Sequence, residues 1–132
     1  MIKTMINKLA QEIHEGNKAR GFYEGEKNIG EMLCLVHSEI SEALEADRKG
    51  KYFKQSPNID DFSSDNEFND VGERYWKIEF ESSIKDTFED EIADAIIRLL
   101  DLAAFKSIDI EAHIKAKMRY NSLRPYKHGK KY

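Results

Sequence analysis

The chain has 132 residues, of which 35% are charged and 40% hydrophobic, and its formal net charge is −4. A chain of this length buries one core but not two, and this composition is typical of helix-rich globular proteins. No stretch approaches the roughly 20 continuous apolar residues that a membrane span needs, and the N-terminal residues mix charged with apolar side chains, unlike a signal peptide. We therefore expect one cytoplasmic domain over residues 1–132.

The only cysteine is Cys34, so an internal disulfide is excluded and a reducing compartment fits. It lies in the apolar run of residues 32–36. A free cysteine in such a run usually packs as a small apolar side chain, so we expect Cys34 to be buried.

Charge is distributed unevenly along the chain. Residues 1–111 carry 14 basic and 25 acidic residues, whereas residues 112–132 carry seven basic residues and no acid. An acidic body with a basic tail is able to hold a metal cation at one place and phosphates at another. The simpler alternative is a solvated helix followed by a basic tail.

The first two predicted helices follow from apolar residues at three- and four-residue steps. Helix one ends near Gly16, and its apolar face consists of Ile2, Met5, Ile6, Leu9 and Ile13. Residues 17–27 are predicted to form a loop that carries Phe22 and Tyr23. Helix two covers about residues 28–49, with Gly50 as its stop signal, and its apolar face consists of Leu33, Val36, Ile40, Ala43 and Leu44.

The helical pattern breaks over residues 51–83, which are rich in Asp, Asn and Ser and include one candidate strand at residues 75–80. A connection of this length in a small domain is usually functional or disordered. It joins the two helices that carry the acids described below. We therefore expect this insertion to cover a substrate.

Helical spacing resumes in a third predicted helix, over about residues 84–105. A fourth helix follows, with Asp109 as its N-cap and an end imposed before Pro125. Four helices with two long central ones predict an all-α fold similar to a four-helix bundle, with a long insertion between the central helices.

Two pairs of acids interrupt the apolar faces of the central helices. Each pair is three residues apart and so projects from one helix face; the pairs are Glu39 with Glu42, and Glu91 with Asp94. An unpaired carboxylate at such a position has a desolvation penalty that a cation or a basic partner must offset. Spacing alone leaves an ordinary solvated acidic face open as an alternative.

Four carboxylates suit a hard cation such as Mg²⁺, for which Mn²⁺ is a substitute, because such ions prefer oxygen ligands. No pair of Cys or His residues has the spacing of a structural zinc site. The Glu-x-x-His pairs of a di-iron bundle are also missing from these helices.

These motifs resemble those of the MazG-like all-α nucleoside triphosphate pyrophosphohydrolases. The likeness lies in SEISE at 38–42, EIAD at 91–94, their flanking residues and YNSLRPY at 120–126, and it covers most of residues 20–50 and 83–131. It implies that the four acids bind Mg²⁺ and that the enzyme hydrolyses a nucleoside triphosphate to the monophosphate and pyrophosphate, which cleans the nucleotide pool. One departure is Ser38, because the family motif begins with two glutamates and one of them is credited with orienting water.

For such a substrate, Glu39 or Glu42 is expected to accept the proton of the attacking water. The candidate phosphate and sugar contacts are Lys115, Asn121, Arg124 and Lys127. Phe22, Tyr23 and Trp76 are candidates for stacking on a base, although ordinary packing explains each of them as well. Lys85 is a further phosphate candidate that an ordinary surface lysine would also explain.

Carboxylates on inner helix faces leave little dry core, so we expect a homodimer or homotetramer, with neither a membrane nor a nucleic acid polymer as partner. Three alternatives stay open at this point. The chain would be a binding module that retains metal or nucleotide without turnover, a structural helical adaptor, or an enzyme similar to phosphoribosyl-ATP pyrophosphohydrolase.

Overall fold

The computed structural model describes residues 4–54, 58–63 and 69–132. Within these ranges the chain forms six α-helices and no β-strand, so the predicted all-α class is confirmed. The helices are α1 (Met5–Ala19), α2 (Ile29–Arg48), α3 (Asp60–Ser63), α4 (Asp70–Ser83), α5 (Phe88–Phe105) and α6 (Ile110–Ser122). Ile2, which belongs to the predicted face of helix one, lies outside the described residues.

The predicted second and fourth helices are confirmed by α2 and α6. Asp109 is the N-cap of α6, since its carboxylate accepts a hydrogen bond from the backbone N–H of Ala112 over 3.1 Å. Helix α1 continues three residues beyond Gly16 to Ala19, so the predicted loop at 17–27 begins too early.

The candidate strand at residues 75–80 is wrong, because these residues lie inside helix α4. Asn69 caps this helix by accepting a hydrogen bond from Gly72, and acids in the first turn favour its N-terminus. Trp76 and Phe80 are one turn apart and stack with ring centroids 5.3 Å apart, a contact that a strand would not allow between these positions. The apparent alternation of polar and apolar residues is therefore incidental.

The third predicted helix begins later than expected, at Phe88 rather than Ile84. Ile84 is the C-cap of α4, and Asp86 has a φ of 62°, in the left-handed region, which separates the two helices. Thr87 is buried; its hydroxyl donates to the carbonyl of Ile84 and accepts from the backbone N–H of Asp90. Residues 84–87 thus form a turn that is anchored on both sides.

One compact unit of the fold contains the described part of Met1–Asn28 together with Ile97–Tyr132. In its interior, Asp101 accepts hydrogen bonds from Tyr23 over 2.7 Å and lies 2.9 Å from Nδ1 of His14. Asn7 and Glu111 join α1 to α6, since Asn7 donates to Asp109 and Glu111 accepts from the backbone N–H of Ile6. Polar contacts thus join α1 to Asp101 and to the start of α6 within this unit.

The second unit covers Ile29–Ile96 and holds the acid motifs. Its buried apolar residues are mostly small; they are Val36, Ala43, Ala46, Ile84 and Ala95. The expectation that residues 1–132 form a single domain stays a prediction.

Part of the predicted apolar face of α2 is not covered. Leu33, Ile40 and Leu44 are each about half exposed, whereas Val36 and Ala43 are buried. Cys34 is exposed as well, so its predicted burial is wrong. The apolar residues around Cys34 therefore occupy more of the α2 surface than the rest of the chain covers. Among the described residues, no helix combines the length and apolar character that crossing a membrane requires.

Candidate metal and substrate site

A cavity of about 490 Å³ in the second unit, called the acid cavity below, is lined by all four acids of the predicted metal site, Glu39, Glu42, Glu91 and Asp94. Two of them come from α2 and two from α5. The three-residue spacing within each helix places both members of a pair on one face, and the two faces line the same cavity.

Three of these acids lie especially close together. Carboxylate oxygens of Glu39, Glu91 and Asp94 all lie within 4.8 Å of one another. Glu39 is 7% exposed and Glu91 is 6% exposed, which is unusual for glutamate. Glu42 is exposed at the cavity wall, and its negative charge acts on Glu91.

The crowding changes the acidity of Glu91. Burial raises the pKa of this carboxyl, and the negative charge of Glu42 raises it further, so that the pKa rises from 4.5 to about 7. A neutral carboxyl relieves the repulsion by holding a proton. A bound cation would relieve the same repulsion by supplying positive charge.

The local packing explains why these acids are held in place. Val36 and Ala43, which flank Glu39 along the helix face, are buried beside it. Ala95 is buried one turn after Glu91. Small neighbours leave room for carboxylates from two helices to converge.

The donor set fits a hard cation. All candidate ligand atoms are carboxylate oxygens, which Mg²⁺ and Mn²⁺ accept and which zinc sites seldom use alone. Within the described part of the chain, neither cysteine nor histidine lines this cavity. The residues therefore fit the expected metal in kind and number.

A second group of acids, Asp86, Asp90 and Glu91, also brings its oxygens within 4.8 Å. Asp90 already has a structural partner, because Oδ2 accepts a hydrogen bond from the backbone N–H of Asp86 over 2.9 Å. The Asp90 hydrogen bond stabilises the turn before α5, and only Glu91 belongs to both groups.

Ser38 does not line the cavity. Its hydroxyl donates a hydrogen bond of 2.7 Å to the backbone carbonyl of Leu35, in the preceding turn of α2. The side chain at which the sequence departs from the MazG-like motif therefore forms its hydrogen bond within its own helix.

The predicted insertion also contributes to the cavity wall. Lys77, Phe80 and Glu81 of α4 line it, as do Lys85 and Asp86 of the following turn. The sequence analysis missed Lys77 and Phe80 because residues 75–80 were read as a strand. The helical spacing of Lys77, Glu81 and Lys85, at steps of four, is the signal that would have identified this face.

Trp76, the candidate base contact, lines a different cavity of about 670 Å³. Phe62 and Tyr75 line it as well, and the Phe62 ring packs edge-on against Trp76 with centroids 6.1 Å apart. Trp76 is thus joined to the acid cavity through its stacked partner Phe80 rather than by direct lining.

The other candidate substrate residues belong to the first unit. Lys115 donates a hydrogen bond to Glu111 over 2.7 Å, and Lys127 lies over the ring of Tyr126. Asn121 has a buried Oδ1 that accepts no hydrogen bond from the described residues. Arg124 is half-buried, and Phe22 is exposed. Their contact with a nucleotide stays a prediction.

Comparison of the chain with protein-family models, with curated proteins and with solved structures found no match in any of the three.

Proposed function

We propose that the chain is a Mg²⁺-dependent nucleoside triphosphate pyrophosphohydrolase. The observation that carries the proposal is the convergence of Glu39, Glu42, Glu91 and Asp94 in one cavity. Glu39 and Glu91 are buried, and carboxylates this close together repel one another, a repulsion that a divalent cation would relieve. We infer the reaction from the resemblance of the motifs to those of the MazG-like family.

In the proposed reaction, a water molecule attacks the α-phosphorus and the bond between the α and β phosphates breaks. The products are the nucleoside monophosphate and pyrophosphate. Glu42 is the better candidate to accept the proton of the water, because it is exposed at the cavity wall whereas Glu39 is buried. Glu39, Glu91 and Asp94 would hold Mg²⁺, which supplies charge neutralisation and a more acidic bound water.

Two alternatives concern the same cavity. Ser38 leaves the chain without one motif glutamate, which favours a module that binds metal or nucleotide without turnover. An enzyme similar to phosphoribosyl-ATP pyrophosphohydrolase would use the same four acids. Helix α4 argues against this second alternative, since it adds a wall to the cavity from the segment that the shared motifs do not include.

We also propose that the chain works as a homodimer or homotetramer. Leu33, Ile40 and Leu44 are spaced by seven and four residues, so they share one face of α2, and all three are about half exposed. A second copy of the chain that packs on this face would remove an apolar patch from water.

The deciding experiment is a screen of canonical and modified ribo- and deoxynucleoside triphosphates, together with phosphoribosyl-ATP, for pyrophosphate release. Each nucleotide is incubated with Mg²⁺, with Mn²⁺ and with EDTA. We expect metal-dependent release of pyrophosphate together with the monophosphate from at least one nucleotide. Metal-dependent binding without any product would favour the non-catalytic module, and product from phosphoribosyl-ATP alone would favour the related enzyme.

A further inference from the structure

The wall of the acid cavity that α4 and the following turn provide contains its only cations among the described lining residues, Lys77 and Lys85. The remaining charged residues are seven acids: Glu39, Glu42, Glu81, Asp86, Asp90, Glu91 and Asp94. A single divalent cation does not balance this negative charge. A polyphosphate chain therefore needs further positive charge before it can approach the cavity.

Both lysines are available for a ligand. Lys77 lies 3.8 Å from Glu81 and Lys85 lies 3.9 Å from Asp86, distances that exceed a hydrogen bond, and both side chains are largely exposed. Lys115 differs, because its 2.7 Å hydrogen bond to Glu111 commits its ammonium group to a structural partner.

The backbone fixes the position of Lys85 relative to the acids of α5. Its N–H donates to the carbonyl of Phe80 over 3.0 Å, so the residue continues directly from the last turn of α4. Ile84 and Thr87 on either side are buried, and the N–H of Glu91 donates to the carbonyl of Thr87. A long flexible side chain is thus carried by a turn that is tied to the start of α5.

A third lysine, Lys51, lies on the surface near the turn that carries Lys85. Nζ of Lys51 lies 3.9 Å from Oδ2 of Asp86, as does Nζ of Lys85. Asp86 therefore draws two ammonium groups to the edge of the cavity without a direct hydrogen bond to either one. The arrangement concentrates positive charge where the negative wall begins.

We infer that Lys77 and Lys85 bind the phosphate chain of the substrate in the acid cavity, and that α4 and the turn after it thereby supply the anion-binding half of the site. This inference rests on the proposed function for its substrate class. Lysine suits this role because its ammonium group has three donors and reaches phosphate oxygens as a point charge on a flexible stem. Lys85 is the stronger contact because its backbone is anchored.

The test measures the binding of inorganic tripolyphosphate by calorimetry in excess Mg²⁺, with the full chain and its variants. We expect Lys85→Ala to weaken binding about 10-fold, which is the loss of one charge-assisted hydrogen bond. Lys77→Ala should weaken it about 3-fold, and the double variant more than either. The binding of Mg²⁺ alone should not weaken, since the lysines repel a cation.

Lys49→Ala is the matched control, because Lys49 is an exposed lysine of the same unit that lies 3.7 Å from Glu45 and does not line the cavity. Lys85→Arg keeps the charge and should retain most of the affinity, and Lys85→Gln guards against an effect of side-chain length. Circular dichroism checks that each variant is folded.

Equal tripolyphosphate affinity in wild type, Lys85→Gln and Lys77→Ala would overturn the inference, as would a wild type that binds no tripolyphosphate. Weaker tripolyphosphate binding in the Lys77 and Lys85 variants, with unchanged binding in Lys49→Ala, would support the inference. These results are separate from those of the nucleotide screen. If the lysines matter for tripolyphosphate but no nucleotide is hydrolysed, only the proposed function fails.

Discussion

Glu111 accepts a 2.7 Å hydrogen bond from Nζ of Lys115 and a 3.0 Å hydrogen bond from the backbone N–H of Ile6. This carboxylate of α6 thus accepts one hydrogen bond from a side chain of its own helix and one from the first turn of α1, where backbone N–H groups have no partner within the helix. The positive end of the α1 dipole adds to the attraction. The contact joins residues 105 positions apart in the chain.

The first prediction is that this contact makes stability depend on pH. Hydrogen bonds, first from Lys115 and then from the α1 N-terminus, lower the pKa of Glu111 from 4.5 to about 2. Because the folded state holds the ionised form, the stabilisation is complete above pH 4.5 and is lost as the pH falls toward 2. Glu111→Gln should therefore unfold at a lower temperature than wild type at pH 7, and the difference should shrink below pH 4.5.

The control for this prediction is Glu45→Gln, since Glu45 also has a lysine four residues later but at 3.7 Å and on an exposed surface. It should change the unfolding temperature very little. A Glu111→Gln variant that matched Glu45→Gln at every pH would show that the contact contributes nothing.

The second prediction concerns turnover. Glu42→Gln and Glu91→Gln should each abolish metal-dependent pyrophosphate release, because each change removes a carboxylate charge at nearly constant volume. Helical content by circular dichroism should be unchanged. Glu45→Gln on α2, which does not line the cavity, should keep full activity. Wild-type rates in either of the first two variants would refute the proposed site.

The third prediction concerns the stability of the metal-free protein. The pKa of Glu91 is raised in the folded state by burial and by Glu42, so ionisation opposes folding; the opposition is absent below about pH 4.5 and complete above about pH 7. Metal-free Glu91→Gln should therefore be more stable than wild type at pH 8, by on the order of 2 kcal/mol, and equal to it near pH 4.5.

Denaturant unfolding at the two pH values measures this difference. Mg²⁺ should raise the stability of wild type at pH 8 and should raise that of Glu91→Gln less. A variant that was less stable than wild type at pH 8 without metal would contradict the argument from charge repulsion.

The acid cavity itself was accessible from the sequence, and the reason is geometric. The spacing of Glu39 and Glu42, and of Glu91 and Asp94, fixes the face of each helix, and the apolar neighbours predict that this face points inward. The wall from α4 was missed. Residues 75–80 alternate as a strand does, and a six-residue window does not distinguish that pattern from a short helix.

The fourth prediction uses Trp76, the only tryptophan of the chain, as a reporter. Its ring stacks on Phe80, which lines the acid cavity. Tripolyphosphate binding in excess Mg²⁺ should change the tryptophan emission, because a ligand against Phe80 alters the environment of the stacked pair.

Phe80→Leu should reduce this emission change, since it removes the stacking partner. Tyr75→Phe is the control, because Tyr75 lines the other cavity with Trp76. Unchanged emission in a wild-type sample that calorimetry shows to be saturated would disprove the coupling.

The fifth prediction concerns assembly. Leu44→Glu, alone or with Leu33→Glu, should convert an oligomer into monomers, because a charge in an apolar interface costs more than the roughly 2 kcal/mol that burial of a leucine provides. Light scattering after size exclusion measures the mass. Val71→Glu, which changes an exposed apolar residue of α4, should leave the mass unchanged. A wild type that is monomeric at every concentration would refute the proposed assembly.

The apolar face of α2 shows what periodicity alone does not determine. Leu33, Val36, Ile40, Ala43 and Leu44 share a helical period, but only Val36 and Ala43 are buried by the chain itself. Periodicity identifies apolar residues without saying whether the same chain or another copy covers them. Cys34 was expected to be buried for the same reason, because an apolar run does not show whether the chain itself covers it.

Asp86 keeps a left-handed backbone conformation at φ 62° that glycine would adopt with less strain. Replacing it with glycine should relieve about 1 kcal/mol of backbone strain, and the same change would remove the carboxylate that lies near Lys51 and Lys85. Position 86 is therefore where backbone strain and the placement of two lysines depend on one side chain. A selection for stability alone should favour glycine there.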